Sequence, residues 1–354
     1  MTILNKTNPA PYIGELTIKF LFIRSIFDAT CGFGTKLVLF ICLICQCATS
    51  AAATDFPNRP ITIIVPFAAG ATTDTTARVV AALLSKELSV PTIVENRVGA
   101  NGRIGASFVA RSAPDGYNIL LSSDSTNVLN SLLYPNLSYD PSLHLKPLSL
   151  LSDLPILLVV DPKLPITNLK EFVAYAKANP RKLNFGSPGN GGIFHLAGEL
   201  FSDQAGIELQ HIAYRGGGEV MNAVMRGEVQ AYFGVVGSTL PFVNSGKLRA
   251  LAVGGGSRMP ALPEVPTFSE SGYPEFQVAS RYGLSIPAAT PQPIVDRLSE
   301  AIQAVLSNAE FRKRFESLGF VVPVTSSPSQ FKAIIEDDKI RWQSLIRRQK
   351  LTLE

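Results

Sequence analysis

Few side chains in this sequence are of types that could carry out acid–base chemistry. Beyond residue 53 there are three histidines, His144, His195 and His211. The only acid–base pairs that the sequence offers are His195 with Asp74 or with Glu199. Glu199 follows His195 by four residues, and on a helix this spacing is also typical of an ordinary surface pair. These side chains therefore predict no catalytic residue.

Short motifs that indicate a catalytic or cofactor site are also missing from the sequence. It contains no HExxH, no EF-hand loop, no GxxxxGK[ST] and no GxSxG. Residues 99–105 have the spacing GxxGxxG, which differs from the dinucleotide-binding fingerprint. The sequence therefore predicts no metal site and no cofactor. Its polar loops are better suited to holding a ligand than to transforming one.

The clearest candidate for a binding element is the loop at residues 67–72. It follows Ile61–Val65, a β-branched run typical of a buried parallel strand, and Pro66 ends that strand. A helical period begins at about Thr73, and Thr72 or Thr73 is the predicted N-cap. A strand that leads through small residues into a helix presents free backbone N–H groups, which suits an anionic or polar ligand. An ordinary turn between strand and helix is the alternative interpretation.

The rest of the chain repeats this organisation. Strands alternate with helices over residues 61–133 and again over 169–253, a pattern that favours βαβ units in a mostly parallel sheet. Two glycine-rich loops, SPGNGG at 187–192 and RGGG at 215–218, lie between a strand and a helix. In open α/β sheets, ligands bind at such strand ends. The other predicted elements are apolar runs at 148–151 and 155–160, an extended segment at 275–286, a short strand at 320–322, and helices at 294–306, 311–318 and 329–347.

The N-terminus has the pattern of a secretory signal. Lys36 precedes the apolar run 37–45, and small residues ending at Ala53 follow it. We therefore predict that residues 1–53 are a leader, that the mature chain begins near Thr54, and that it is exported to the periplasm. A lipid anchor on Cys42, Cys45 or Cys47 is less favoured, because none of them follows a small residue.

Composition excludes several classes of protein for the mature chain. All four cysteines lie in the leader, so neither disulfides nor thiolate metal sites are expected. Loss of residues 1–53 removes four basic and two acidic side chains, which lowers the formal net charge from +4 to +2. A charge so close to zero does not indicate a nucleic-acid partner. The roughly 300 residues that remain suffice for two domains of ordinary size.

A series of short motifs, none of them specific alone, runs in order from residue 57 almost to the C-terminus. The motifs are PNRPI (57–61), VPFAAG (65–70), VENR (94–97), GANG (99–102), PDGY (114–117), FGSPGNG (185–191), GELF (198–201), AYRG (213–216), GKLRALAV (246–253), VPTF (265–268) and PAATP (287–291). In this order they resemble the receptor family of tripartite tricarboxylate transporters, the Bug-type periplasmic solute-binding proteins.

The resemblance implies an α/β, two-lobed fold like that of periplasmic binding proteins. Each lobe would be a mostly parallel sheet flanked by helices, with the ligand in a cleft between the lobes. Lobe 1 would comprise residues 55–156 and 279–354, and lobe 2 residues 157–278. The family's ligands are mostly small carboxylates, including dicarboxylates, tricarboxylates, acidic amino acids and aromatic acids, held largely by backbone amides, hydroxyls and water.

The same resemblance implies which residues bind the ligand. They are Phe67, Ala69, Gly70, Thr73, Asp74, Ser123, Ser125, Gly189, Asn190, Gly191, His195, Tyr214, Arg215 and Gly216. Three positions depart from the family pattern. Ala71 replaces a second glycine, Arg215 stands where lysine is common, and Arg281 stands where an aromatic residue is expected. Arg215 could contact a carboxylate bidentately or remain a surface cation, and the two are equally supported.

The expected function is therefore that of an extracytoplasmic solute-binding protein that captures a small carboxylate for a membrane transporter or a sensor kinase. It would be a monomer, without a nucleic-acid partner, and not an enzyme. One alternative is a secreted α/β enzyme acting on a small carboxylate, with His195 in its acid–base pair. The other is the effector domain of a regulator, which the leader and the lack of a preceding DNA-binding helix pair disfavour.

Overall fold

A computed structural model describes residues 56–351. The predicted leader lies outside these residues. No helix within 56–351 combines the length and apolar character that crossing a membrane requires.

The first part of the chain alternates strands with helices, as predicted. Its strands are β1 (Ile61–Val65), β2 (Thr92–Asn96) and β3 (Asn118–Ser123). Its helices are α1 (Thr72–Leu88), α2 (Arg103–Ala110), α3 (Asn130–Leu133) and α4 (Pro141–His144), with a 3₁₀ turn at Ala100–Gly102 and a π-helical segment at Ser125–Leu129.

The second part continues the alternation and ends in three helices. Its strands are β4 (Leu145–Val160), β5 (Leu183–Ser187), β6 (Leu209–Ala213), β7 (Ala231–Val235), β8 (Arg249–Val253) and β9 (Ala279–Pro287). Its helices are α5 (Leu169–Ala178), α6 (Ile193–Ala205), α7 (Gly217–Arg226), α8 (Val236–Asn244), α9 (Gln292–Ser307), α10 (Ala309–Ser317) and α11 (Pro328–Gln349). In place of the short strand predicted at 320–322 there is one isolated bridge, between Val321 and Asp153.

The strands form one curled, mixed sheet in the order β2-β1-β3-β9-β4-β7-β5-β6, with β8 also paired to β4. The expected parallel pairing holds at the two ends, where β1 pairs with β2 and β3, and β5 pairs with β6 and β7. In the middle, β4 and β9 are antiparallel to each other and to every strand they contact. The sheet is therefore less parallel than the sequence pattern predicts.

Strand β4 joins the two parallel ends. The sequence predicts two separate apolar runs at 148–151 and 155–160, but both lie in this one strand of 16 residues. Residues 145–155 pair with β9, whereas 156–160 pair with β7 and β8. The predicted lobe boundary after residue 156 lies one residue beyond this change of partners. The division into lobes stays a prediction.

Helix α1 shows how local sequence sets the position of the first loop. Its stripe of Ala77, Val80, Leu84 and Leu88 is buried, which fixes the helix against the sheet. The predicted threonine cap is wrong, because Ala71 occupies the N-cap position and no side chain caps the helix there. Instead, the Gly70 N–H in the loop donates a hydrogen bond to the carboxylate of Asp74, in the first turn of the helix.

Candidate functional site

The loop between β1 and α1 is folded around Asp74. The Asp74 carboxylate accepts hydrogen bonds from the Gly70 N–H (2.9 Å), Arg78 Nε (3.0 Å) and Asn96 Nδ2 (2.9 Å). Burial disfavours the ionised carboxylate, but the hydrogen bonds from Arg78, Gly70 and Asn96 outweigh it and hold the Asp74 pKa below its usual value. Asp74 is therefore an ionised residue that shapes the loop, and it is not poised to exchange a proton.

The predicted ligand residues of this loop are accessible at its tip. Ala69 and Gly70 are exposed and Phe67 is partly buried. Gly70 has φ +78°, and a Cβ placed on it would have no heavy atom within 4 Å. Its conformation therefore favours glycine while leaving open space in front of the backbone.

Two buried hydroxyls at the carboxyl end of this half of the sheet have no partner. Thr73 Oγ1 and Ser123 Oγ make no hydrogen bond within residues 56–351, although both residues are only 6% exposed. Ser125, equally buried, begins the π-helical segment, a type of irregularity that is frequent at functional sites. An unsatisfied buried hydroxyl costs free energy, so these atoms require a partner such as water or a ligand.

The loop after β5 is held by side chains in the same way. Ser187 Oγ donates to the Gly189 carbonyl (2.8 Å), and the Gly191 N–H donates to His195 Nδ1 (3.0 Å). Gly189 (φ +141°) and Gly191 (φ +72°) both lie in the region that favours glycine. Asn190, between them, is exposed. His195 therefore holds the loop in place through its hydrogen bond with the Gly191 N–H.

His195 belongs to a cluster with Ser187, which is buried as His195 is, and His211, which is partly buried. The two imidazole rings stack with centroids 3.8 Å apart, and His211 Nε2 lies 2.6 Å from Ser187 Oγ. Burial, with a further contribution from His195, lowers the pKa of His211 to about 3. Glu199 Oε1 lies 3.5 Å from His195 Nε2, whereas Asp74 is engaged in its own loop. Ser187 is fully buried and bonded, so it is not exposed to a substrate.

The third predicted loop is joined to the second. The Tyr214 N–H donates to the Ser187 carbonyl (2.8 Å), and the Tyr214 ring packs against the core beside Gly186. Arg215 is exposed, and its guanidinium contacts no carboxylate within residues 56–351. Gly216 is the N-cap of α7 and has open space in front of it. Gly216 and Arg215 thus lie at the accessible end of this loop.

Asn101 lies beside the candidate site but is not among the ligand residues predicted from the sequence. It lies in the turn Ala100–Gly102, where Gly99, Ala100, Asn101 and Gly102 all have positive φ. A Cβ on Gly102 would lie 3.4 Å from the Phe67 ring, and a Cβ on Gly192 would lie 4.0 Å from Asn101 Oδ1. This turn therefore connects the first loop with the second. The GANG motif at residues 99–102 is the sequence feature that indicates this turn.

Arg281, which stands in β9 where an aromatic residue was expected, is the centre of an ion cluster. The Arg281 guanidinium forms ion pairs with Asp153 (2.8 Å, without hydrogen-bond alignment) and with Asp338. The backbone N–H of Arg281 donates to Asp124 Oδ2 (2.8 Å). Burial, followed by the charge of Asp338, raises the pKa of Asp124 to about 7. An arginine at this position is thus explained by three surrounding carboxyl groups. Within residues 56–351, no group of three or more His, Cys, Asp or Glu side chains could hold a metal ion.

Comparisons with known proteins identify the family and the fold of this chain. A family model described as "Tripartite tricarboxylate transporter family receptor" matches residues 76–351. Protein BugT of Bordetella pertussis is 36% identical over 301 residues, which cover 85% of this chain and 92% of BugT. The structure of the periplasmic binding protein BugD has a TM-score of 0.76 at 34% identity and covers 84% of this chain and 100% of BugD. That of R. palustris Rpa4515 with adipate gives 0.78 at 31% identity, covering 84% of this chain and 99% of that protein. The fold is therefore that of the periplasmic binding proteins.

Proposed function

Because this chain belongs to the tripartite tricarboxylate transporter receptor family of solute-binding proteins, we propose that it captures a small carboxylate between the loops of its two predicted lobes and delivers it to a membrane transporter. The observation that carries the proposal is that three glycine-bearing loops at strand ends lie next to one another. The 99–102 turn lies beside both Phe67 and Gly192, and the Tyr214 N–H bonds to the Ser187 carbonyl.

The chemistry of these loops fits a carboxylate. The N-termini of α1, α6 and α7 follow the three loops, and free N–H groups at helix N-termini attract anions. The hydroxyls of Thr73 and Ser123 are donors without a partner in the described part of the chain. The ligand would thus be held mainly by backbone and hydroxyl donors, with Arg215 as the candidate charged contact. The ligands that could be held in this way are dicarboxylates, tricarboxylates, acidic amino acids and aromatic acids.

Three further features belong to the same proposal. The protein acts in the periplasm after loss of residues 1–53, works as a monomer and carries out no catalysis. The burial of Ser187 supports the last point, because its hydroxyl is not exposed to a substrate. A sensor kinase is the alternative recipient of the ligand-bound protein.

A thermal-shift screen of adipate, malate, citrate, glutamate and benzoate tests the proposal. A ligand that binds only the folded protein stabilises it by about 2.7 kcal/mol at a hundredfold excess over its Kd. We expect at least one of these acids to raise the melting temperature and to be recovered unchanged. If none stabilises the protein, or if the acid is converted, the proposal is wrong.

A further inference from the structure

An open groove of about 610 Å³ lies along α2, outside the three loops described above. It is lined by Ala100, Arg103, Ile104, Ser107, Phe108, Arg111, Ser112, Asn136 and Ser138. Its lining includes two arginines and no acidic side chain. The groove therefore carries a local charge of +2, as large as the whole predicted mature chain.

The two arginines are held in place but not neutralised. Arg103 Nε donates to the Ala100 carbonyl (3.0 Å), and its guanidinium lies 3.8 Å from the centre of the Tyr134 ring. Arg111 Nη2 donates to the Ser138 carbonyl (2.8 Å). Neither forms an ion pair within residues 56–351, in contrast to the nearby Arg97, which is paired with Glu95. Both guanidinium groups therefore keep donors for an external acceptor.

The spacing of the arginines defines the shape of that acceptor. Arg103, Ser107 and Arg111 recur every four residues and so share one face of the helix. Eight residues at 1.5 Å each separate the two arginines by about 12 Å along the axis. Between them lie Phe108, whose ring is covered by Arg97, and Ile104, whose exposed fraction is 53%. The groove thus presents two cations on either side of an apolar patch.

We propose that this groove is the docking site for an extended acidic segment of the membrane transporter that receives the ligand. In an extended chain, alternate side chains share one face and residues i and i+4 are about 13 Å apart. A segment of the form acidic-x-apolar-x-acidic therefore matches Arg103, the Ile104 and Phe108 patch, and Arg111. A single small carboxylate cannot span the two arginines.

The position of the groove suits a transporter contact. Ala100, at one end of the groove, is the neighbour of Asn101, which approaches Gly192 of the second loop. A partner in the groove would therefore contact the same turn that borders the ligand loops. This inference rests on the proposed function for the identity of the partner.

The test uses a fluorescent pentapeptide, acetyl-Glu-Ser-Leu-Ser-Glu-amide, with the mature protein at low salt. We expect saturable binding that weakens at least tenfold in the double variant Arg103→Glu/Arg111→Glu and at high salt, because salt screens exposed charges. The milder Arg103→Gln/Arg111→Gln variant serves if the first does not fold. A peptide with lysines in place of both glutamates should not bind.

The matched control is Lys86→Glu/Arg314→Glu in a second groove, between α1 and α10, which includes Glu310. It changes the net charge equally and should leave peptide binding intact. Equal weakening in the control, or no saturable binding by the unaltered protein, overturns the proposal. So does arginine-dependent binding to phosphatidylglycerol vesicles without peptide binding, which would assign the groove to a membrane surface. Stabilisation by carboxylates should be unchanged in the arginine variants, so failure of the carboxylate screen is a separate result.

Discussion

Individual side chains at the site mainly hold its loops in shape. Asp74 accepts the Gly70 N–H, and His195 accepts the Gly191 N–H. Both side chains thus act on the backbone of their own loop. The recognition of a ligand is thereby left to backbone groups, to the unsatisfied hydroxyls and to Arg215.

Substitution of Gly70 by valine tests the role of the backbone. We expect Gly70→Val to abolish carboxylate binding while the protein stays folded, because the new side chain would fill the open space in front of the amides. Gly246→Val is the matched control. Gly246 also has positive φ (+69°) and nothing within 4 Å of an added Cβ, so the backbone strain is similar. Calorimetric titration measures binding, and the melting temperature reports folding.

Gly191→Val should likewise abolish binding, whereas His195→Ala should have a smaller effect. The alanine variant frees the Gly191 N–H and removes the stacking partner of His211, but it places no new atoms in front of the loop. The backbone account would be wrong if His195→Ala removed all binding and Gly70→Val had no effect.

Arg215 is the candidate charged contact with the ligand. If it reaches the carboxylate, Arg215→Ala should weaken binding by about 1.5–3 kcal/mol, the usual contribution of a hydrogen bond to a charged group. Arg226→Ala, at the C-terminal end of α7, is the control, since Arg226 is already paired with Glu228. Affinity measured by calorimetry that is the same in both variants would assign Arg215 to the free surface.

At the scale of secondary structure, the ion cluster joins the elements that cross the middle of the sheet. Asp124 follows β3, Asp153 lies in β4, Arg281 in β9 and Asp338 in α11. Three carboxyl groups surround one arginine, so the cluster has an excess of negative charge when all are ionised. Protonation of Asp124 relieves this excess, which makes the junction sensitive to pH.

The cluster predicts that the folded protein loses stability as pH rises through neutrality. The pKa of Asp124 is raised to about 7 in the folded state, so its contribution to stability is complete only below its ordinary pKa, near 3.8, and is lost progressively as the pH rises to about 7. Between pH 6 and 8.5 the free energy of unfolding should fall by about 1.4 kcal/mol, which lowers the melting temperature of a chain of this length by about 2 °C.

Asp124→Asn is the variant that isolates this contribution. His211 acts in the opposite sense, because its lowered pKa costs stability as pH falls below about 6.5. That contribution is common to both proteins, so the difference between their melting profiles reports Asp124 alone. Parallel profiles of the two proteins across pH 6–8.5 would contradict the prediction.

Elements with strong local patterns were predictable from the sequence. Helix α5 and strand β7 fall in the stretch 169–253, where alternating strands and helices were predicted, because their apolar residues follow a single period between clear turn residues. Strand β4 was divided into two because Ser152 and Asp153 interrupt its apolar residues. These two face partners far away in sequence, since Asp153 pairs with Arg281 in β9. Long-range strand pairing is not encoded in local periodicity.

The candidate site was predictable at its loops and not at its connections. Glycines that favour a left-handed backbone are visible in the sequence, and Gly70, Gly189 and Gly191 all adopt it. The close approach of the 99–102 turn to Gly192 brings together residues about 90 positions apart, and the Asp124 cluster joins residues more than 200 apart. Only the folded chain brings these groups together. The roles of the predicted ligand residues stay predictions.

At the scale of the whole molecule, the described contacts already link the two predicted lobes away from the crossing strands. Asp203 in α6 accepts hydrogen bonds from Arg348 Nη2 (2.9 Å) and Gln349 Nε2 (3.0 Å) at the end of α11. Helix α11 belongs to predicted lobe 1 and α6 to predicted lobe 2. Any relative movement of the lobes must therefore pivot about the end of α11 or break these bonds.

Ligand-induced closure is the prediction that follows for the whole molecule. A ligand that contacts loops of both lobes binds the closed form better and can shift the equilibrium only by that difference. The backbone changes should be confined to residues 157–161 and 277–282, where the chain passes between the lobes. Small-angle scattering should show a smaller radius of gyration with a stabilising carboxylate than without it. The Gly70→Val variant should show no change, and Arg215→Ala a smaller one if Arg215 contacts the ligand. No compaction of the unaltered protein, at a carboxylate concentration that saturates it in calorimetry, would reject closure.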